Sequence, residues 1–177
     1  MSGLTCAVKL LEAGHQVEVL SDKFSPDTVS DVAAAIWYPF LTAPINRSAP
    51  WGISTYAVLQ GLARDEPESG VVRTDGREYL REVVALPAWK DDIASFRVLE
   101  TNEIVQGYVF GWEFRAPVIE MHRYMPWLRS KVESMGGSFR QSFVRDLSEV
   151  PGEVVVTCVG LGARAFGGDD DIRRAGG

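Results

Sequence analysis

The residues of this 177-residue chain that could catalyse a reaction unaided stand apart from one another. His15 and His122 have no cysteine or carboxylate at metal-ligand spacing, so no metal site is expected. There is no Ser-His-Asp arrangement and no Walker-type phosphate loop, and Cys6 falls on a predicted helix face where packing is its expected role. The chemistry on offer is hydrogen bonding to a dinucleotide. Asp22 ends a short alternating run about 20 residues beyond Gly3, the spacing at which a ribose-binding acid follows a glycine-rich turn. Ribose hydroxyls are donors and a carboxylate is acceptor-only. Of the pattern G-x-G-x-x-G only the last glycine, Gly3, is present, so on spacing alone Asp22 also reads as an ordinary strand-end acid.

Periodicity indicates the elements that would hold these groups. Leu4, Ala7, Val8 and Leu11 recur at helical spacing, and Gly14 stands where a helix C-cap is expected. Residues 16–20 alternate as a strand around Val17 and Val19. Ser30 or Asp31 is expected to cap a short helix through Ala35, ended by Pro39, and a longer helix is predicted from about residue 51 to 64. Between residues 71 and 120, short runs rich in Val, Phe, Tyr and Trp (VVRT, EYLREVVAL, SFRVLE, YVFGWEF, PVIE) are separated by Gly, Pro and Asn, as in antiparallel strands. Residues 121–135 return to helical spacing with Gly136-Gly137 as the stop. Residues 138–144 and 153–159 read as strands, the second buried and parallel to the one at Val17.

This order predicts an α/β fold in which a nucleotide-binding lobe (residues 1–66 and 121–166) is interrupted by an antiparallel lobe (67–120), with a disordered tail at 167–177. A single α+β domain without cofactor is the other reading. The net charge of −6 argues against a nucleic-acid or anionic-membrane partner. No apolar run approaches the roughly 20 residues needed to span a bilayer. Lys9 and Glu12 interrupt the apolar start, which does not read as a signal peptide. Two cysteines are too few for a disulfide framework, so a cytoplasmic location is expected.

At SDKFSPDTVSDVAAAIWYP the sequence resembles the D-amino-acid oxidase family of FAD-dependent oxidoreductases. The resemblance continues at LPAWKDDIASFR, at YVFGWEFRAPVIEMHRYMPWL and at EVVVTCVGLGA, and reaches about Phe166. It implies a Rossmann-like FAD-binding lobe, here lacking its first strand, and an antiparallel β lobe on the substrate side. Such proteins begin with an apolar strand and a Gly-x-Gly turn and continue well past the position matched by Gly160. The chain therefore reads as an internal fragment of such an oxidase.

Site residues follow from the same resemblance. Gly3 and Asp22 are expected at the pyrophosphate and the adenosine ribose, and Lys23 at the adenosine side or in solvent. Thr28 and Ser30 match a hydroxyl-bearing loop that clamps pyrophosphate, with Val29 a departure, although the same loop could serve only as cap and turn. Ala34, Ala35 and Ile36 would let their backbone approach the isoalloxazine ring, and Val144 would touch the adenine side through its backbone. Gly160 keeps a close-approach role after Cys158 and Val159, the latter standing where the family has Thr. Tyr38 is a candidate near the substrate pocket, or else a buried tyrosine bonded to a backbone carbonyl; Trp37 is assigned to packing.

The family oxidises a D-amino acid by hydride transfer to FAD, giving an imino acid, then a 2-oxo acid and ammonia, with hydrogen peroxide from reoxidation. It takes its carboxylate-binding Arg and pocket Tyr from a later part of the sequence, so no residue here is assigned as catalytic, and the chain alone is expected to be inactive. Relatives acting on D-aspartate or glycine, a possible homo-oligomer, and a module that binds no flavin are the further readings.

Overall fold

The computed structural model describes residues 1–33, 35–39, 42–93 and 95–167, so Ala34 and the tail from residue 168 lie outside the described residues. In chain order the elements are α1 (Ser2–Glu12), β1 (Glu18–Ser21), α2 (Ile45–Asp65), β2 (Val71–Leu80), β3 (Phe96–Val98), β4 (Phe110–Ile119), α3 (Met121–Ser134), β5 (Ser138–Gln141) and α4 (Ala163–Gly167), with short 3-10 turns between them. The architecture is mixed α/β, with one parallel pair, β1–β5, and one antiparallel sheet of order β2–β4–β3. The chain divides into two compact units, Met1–Ala33 with Met125–Gly177, and Ala34–Tyr124.

In the first unit, α1 buries Ala7 and Val8 from the expected apolar stripe. It ends as its sequence predicts: the His15 N–H bonds to the Leu10 carbonyl at 3.0 Å and the Gly14 N–H to the Leu11 carbonyl at 2.9 Å. These are the two bonds of a Schellman turn, and Gly14 supplies its left-handed residue at φ 86°. The end of α3 repeats the device, with Gly136 bonded to Glu133 at 3.0 Å and Gly137 to Val132 at 2.9 Å. Each turn leads into a strand, and β1 and β5 pair in parallel from Glu18↔Ser138 to Ser21↔Gln141.

The run 153–159 forms no strand among the described residues, contrary to the expectation of a buried strand running parallel to β1. Its valines are instead open to solvent, Val154 at 82% and Val156 at 50% exposure. An apolar run becomes a strand only beside an edge with free N–H and C=O groups at matching height. The edge of β1 that does carry a ladder is occupied by β5.

In the second unit, β2 and β4 form one continuous ladder from Val71↔Ile119 to Leu80↔Phe110, so runs read separately in sequence are single ten-residue strands. Residues 81–86 lie outside any strand, with Val83 exposed. Helix α2 begins six positions earlier than its predicted start, with the Arg47 and Ser48 N–H groups bonded to the Pro44 carbonyl. Pro50 lies inside it, lacking only its own N–H bond. Because α2 packs on β2 and β4, residues 34–66 group with the antiparallel sheet rather than with the nucleotide-binding lobe assigned from sequence.

The core of this unit is aromatic. Trp89 meets Trp37, Tyr38, Phe96 and Phe114 with ring centroids 5.3–5.8 Å apart. Trp37 also packs on Tyr56 at 4.8 Å and donates from its indole N–H to the Gly52 carbonyl of α2 at 2.8 Å.

On the sheet, Arg77 and Arg97 alternate with Glu103 and Glu113 in one ion-pair network, with contacts of 2.6–3.2 Å. Hydrogen bonds from Arg97, then from the Glu100 backbone, hold the Glu103 carboxyl down at about 2. A carboxyl held below its unfolded value stabilises the fold above that value and loses its contribution as pH falls through the folded one. The melting temperature is therefore expected to drop between pH 4.5 and about 2, less steeply in Glu103→Gln. Identical pH profiles for the two proteins, measured by circular dichroism, would contradict this.

Candidate cofactor site

The carboxyl ends of parallel strands are where α/β folds gather their ligand groups. Asp22 directly follows β1, and Val144 lies three residues past β5. The two strand ends are tied together: the Ser142 N–H bonds to the Ser21 carbonyl at 2.9 Å, and the Gln141 side-chain amide donates to the Asp22 carbonyl at 2.9 Å. Asp22 is thus fixed through its backbone, while its exposed carboxylate has no ion pair or hydrogen bond among the described residues. Lys23 is exposed, and its carbonyl accepts from the Ser21 hydroxyl at 2.6 Å. Below this loop the Arg129 guanidinium lies 5.3 Å from the Phe24 ring centroid and 4.6 Å from that of Phe139, and the two rings meet edge to face.

The loop that follows is built on Asp31. Its carboxylate accepts from the Ser25 hydroxyl, the Thr28 hydroxyl and, at 3.0 Å, the Thr28 N–H. Partial burial works against the charge, but the bonds from Ser25 and Thr28 hold the carboxyl below its usual range. The expected helix through Ala35 is therefore a single 3-10 turn, Val29–Val32, capped by Thr28 rather than by Ser30. A four-residue helix repays little of its nucleation cost, whereas the next residues find a preformed strand edge. Thr28 is committed to this turn. The Ser30 oxygen accepts from the Met1 ammonium at 3.0 Å, which sets that hydroxyl beside the amino end of α1 and near Gly3.

Gly160 opens a short turn at φ 54°, and a Cβ added there would meet nothing within 4 Å. Among the described residues no neighbouring atom fills that space.

In the second unit, the Ala35 carbonyl accepts from the Ile119 N–H at 2.7 Å and the Trp37 N–H donates to the Pro117 carbonyl at 2.9 Å. Ile36 bridges Val118 between them. In this antiparallel geometry the bonds flank the pair, so the N–H and C=O of Ile36 itself turn away from β4. Tyr38 lies between Trp89 and Phe114, and its hydroxyl donates to the Glu78 carboxylate at 2.7 Å rather than to a backbone carbonyl. Burial first, then Glu78, pushes its phenol upward, so it stays protonated.

Three residues that organise these groups were not singled out as site residues in the sequence. Asp31 was visible as the fourth residue of a T-x-x-D box. Gln141 and Glu78 act across 119 and 40 positions of chain, and no local pattern marks such pairs.

The sequence profile of the family described as FAD dependent oxidoreductase (DAO) matches residues 1–175. A D-amino-acid oxidase of Rubrobacter xylanophilus is 35% identical over 175 residues, which cover 97% of this chain and 53% of that protein. A D-amino-acid oxidase of Dictyostelium discoideum is 32% identical, over 96% of this chain and 51% of its own length. A D-aspartate oxidase of Homo sapiens is also 32% identical, over 97% of this chain and 53% of its length. The chain spans about half the length of the curated relatives it matches.

Proposed function

Since the chain belongs to the DAO family of FAD-dependent oxidoreductases, we propose that its first unit is part of a Rossmann-like lobe binding the ADP half of FAD, in the service of D-amino-acid oxidation. The observation that carries this reading is the Asp22 carboxylate, without a partner among the described residues, on a backbone whose carbonyl Gln141 holds at the carboxyl end of β1. Two ribose hydroxyls supply the donors it lacks. Val144, beyond the adjoining strand end, offers its backbone to the adenine side, and Lys23 offers a charge beside it.

The pyrophosphate falls to the amino end of α1. Gly3 keeps side chains out of the way there, and the free N–H groups of the first turn favour an anion. The Ser30 hydroxyl, whose oxygen accepts from Met1, still has its proton to donate to a phosphate oxygen. Thr28 contributes by shaping the turn, since its hydroxyl is spent on Asp31. Gly160 offers bare backbone. In the second unit, the outward N–H and C=O of Ile36 suit the hydrogen-bonding edge of an isoalloxazine ring, and Ala34 and Ala35 belong to the same proposal from sequence.

Bound FAD would supply the redox chemistry of D-amino-acid oxidation, with dioxygen as the final electron acceptor. The chain's own part is binding and orientation. Tyr38, whose proton is engaged by Glu78, presents lone pairs and a nearby carboxylate, which suits a substrate ammonium group better than a carboxylate. Because a D-aspartate oxidase is matched almost as well as the D-amino-acid oxidases, the proposed substrate class includes acidic side chains.

Titration of the chain with FAD, ADP and riboflavin tests the reading. Asp22→Ala is expected to weaken FAD and ADP by about tenfold or more, the worth of hydrogen bonds to a charged group, and to leave riboflavin unaffected. Failure of the unaltered chain to bind FAD, or equal affinities in the variant, would reject it.

A further inference from the structure

Cys6, midway along α1, and Cys158, two residues before the Gly160 turn, bring their sulfur atoms to 3.8 Å across 152 positions of sequence. Both thiols are free. The approach extends beyond one atom pair, for a Cβ placed on Gly3 would lie 3.5 Å from the Cβ of Cys158. Cys158 thus lies beside the first turns of α1, although no strand ladder holds residues 153–159 among the described residues.

We propose that Cys6 and Cys158 form a reversible intramolecular disulfide, a redox-modification site that clips the Gly160-bearing segment to α1. A disulfide bond is about 2.0 Å long, so the sulfurs must close by about 1.8 Å. Side-chain rotation and a small shift of a segment without ladder bonds can supply that movement. A chain with only these two cysteines has no alternative intramolecular partner for either. In a reducing compartment the pair is a switchable link rather than a structural framework.

Hydrogen peroxide is a sufficient oxidant. The more exposed sulfur, Cys158, attacks one peroxide oxygen; the O–O bond breaks, water leaves, and a sulfenic acid forms. The Cys6 sulfur then displaces the remaining hydroxyl as water, and the S–S bond forms. Two thiols lose two protons and two electrons, and one peroxide becomes two waters. Burial and the neighbouring Cys6 thiol push the Cys158 thiol up, which keeps its thiolate scarce at neutral pH and makes the step slow. The link does not depend on whether flavin binds.

The test treats the purified chain with hydrogen peroxide, blocks remaining thiols after denaturation, and maps peptides without reductant. The expected product is a monomer with a cross-linked pair of peptides containing Cys6 and Cys158, reversed by dithiothreitol. Its melting temperature should rise by about 10 °C, as expected for closure of so long a loop. In Cys6→Ser, peroxide should produce neither the cross-link nor the rise, while the untreated variant melts as the reduced parent does. Sulfinic acid at Cys158 beside a free Cys6, a disulfide-linked dimer, equal cross-linking of the urea-unfolded chain, or an unchanged melting temperature would each overturn the proposal. If Cys6→Ser does not fold, Cys158→Ser serves the same comparison.

Discussion

Trp89→Ala is expected to cost the second unit about 4 kcal/mol, which removes a large part of the stability of an ordinary domain. Trp89 is buried on a single 3-10 turn, Ala88–Asp91, outside any strand or longer helix, so its position depends largely on side-chain packing. It touches rings from three directions: Trp37 and Tyr38 from the segment alongside β4, Phe96 from β3, and Phe114 from β4. Truncation leaves a cavity walled by large planar groups that cannot collapse without leaving their own contacts, and each aromatic pair also loses its edge-to-face term. Tyr38 would lose a neighbour that orients it toward Glu78. Urea unfolding followed by near-ultraviolet circular dichroism measures the effect, with Trp89→Phe as a milder control. A loss below about 1 kcal/mol would mean that the cluster is not the core of the unit.

Gly111→Ala is the second large effect, expected at about 3 kcal/mol. Gly111 is buried in β4 opposite Tyr79, and a Cβ there would lie 2.4 Å from the Glu78 carbonyl oxygen and 3.1 Å from a methyl of Leu99. Leu99 could turn aside, but the Glu78 carbonyl belongs to the backbone of β2. The ladder must part locally, and the movement falls on the residue whose carboxylate holds Tyr38. The expected result is a lower midpoint in urea together with faster amide exchange around residues 78–80. Gly107→Ala is the contrasting case, since among the described residues nothing lies within 4 Å of its added Cβ and its cost comes from the positive φ of 92°. Gly111→Ala matching the parent in both midpoint and exchange would show that the strands can separate cheaply.

Helices α1 and α3 were legible in sequence because everything that defines them is local: an apolar stripe, and a glycine placed to end it. Asp22 could be proposed from sequence because it sits at a set spacing beyond Gly3, and Ser30 only because its loop resembles that of a known family. Strand extent was not, since β2 and β4 owe their unbroken length to each other across about 40 positions of chain. The run at 153–159 shows the same limit from the other side. Three consecutive valines carry every local sign of a buried strand, yet burial requires a neighbour that composition does not reveal. The helix expected through Ala35 rests on small residues that permit one; a free stretch of β4 makes an extended course from Ala35 to Trp37 more favourable. The hydrogen bonds from Gln141 to Asp22 and from Tyr38 to Glu78 join residues with no relation along the chain, so they were beyond any reading by motif.

The two glycine turns that close α1 and α3 also act as rulers. The chain between Gly136 and Ser138 has no slack, and Ser138 bonds to the Val17 carbonyl at 3.0 Å as soon as it leaves the turn. Strands alternate their faces with every residue, so this short count decides that Phe139, and not Ser138 or Arg140, meets Phe24 and Arg129. It equally sets Arg140 opposite Leu20, on the same face as Glu18, whose carboxylate it reaches diagonally with nitrogen–oxygen contacts of 3.0–3.1 Å. One residue more or less would hand the aromatic position to a polar side chain and carry Gln141 away from Asp22. The phase of the parallel pair is thus written in the length of a turn, and a deletion there would act on the ribose-binding candidate without altering any residue that touches it.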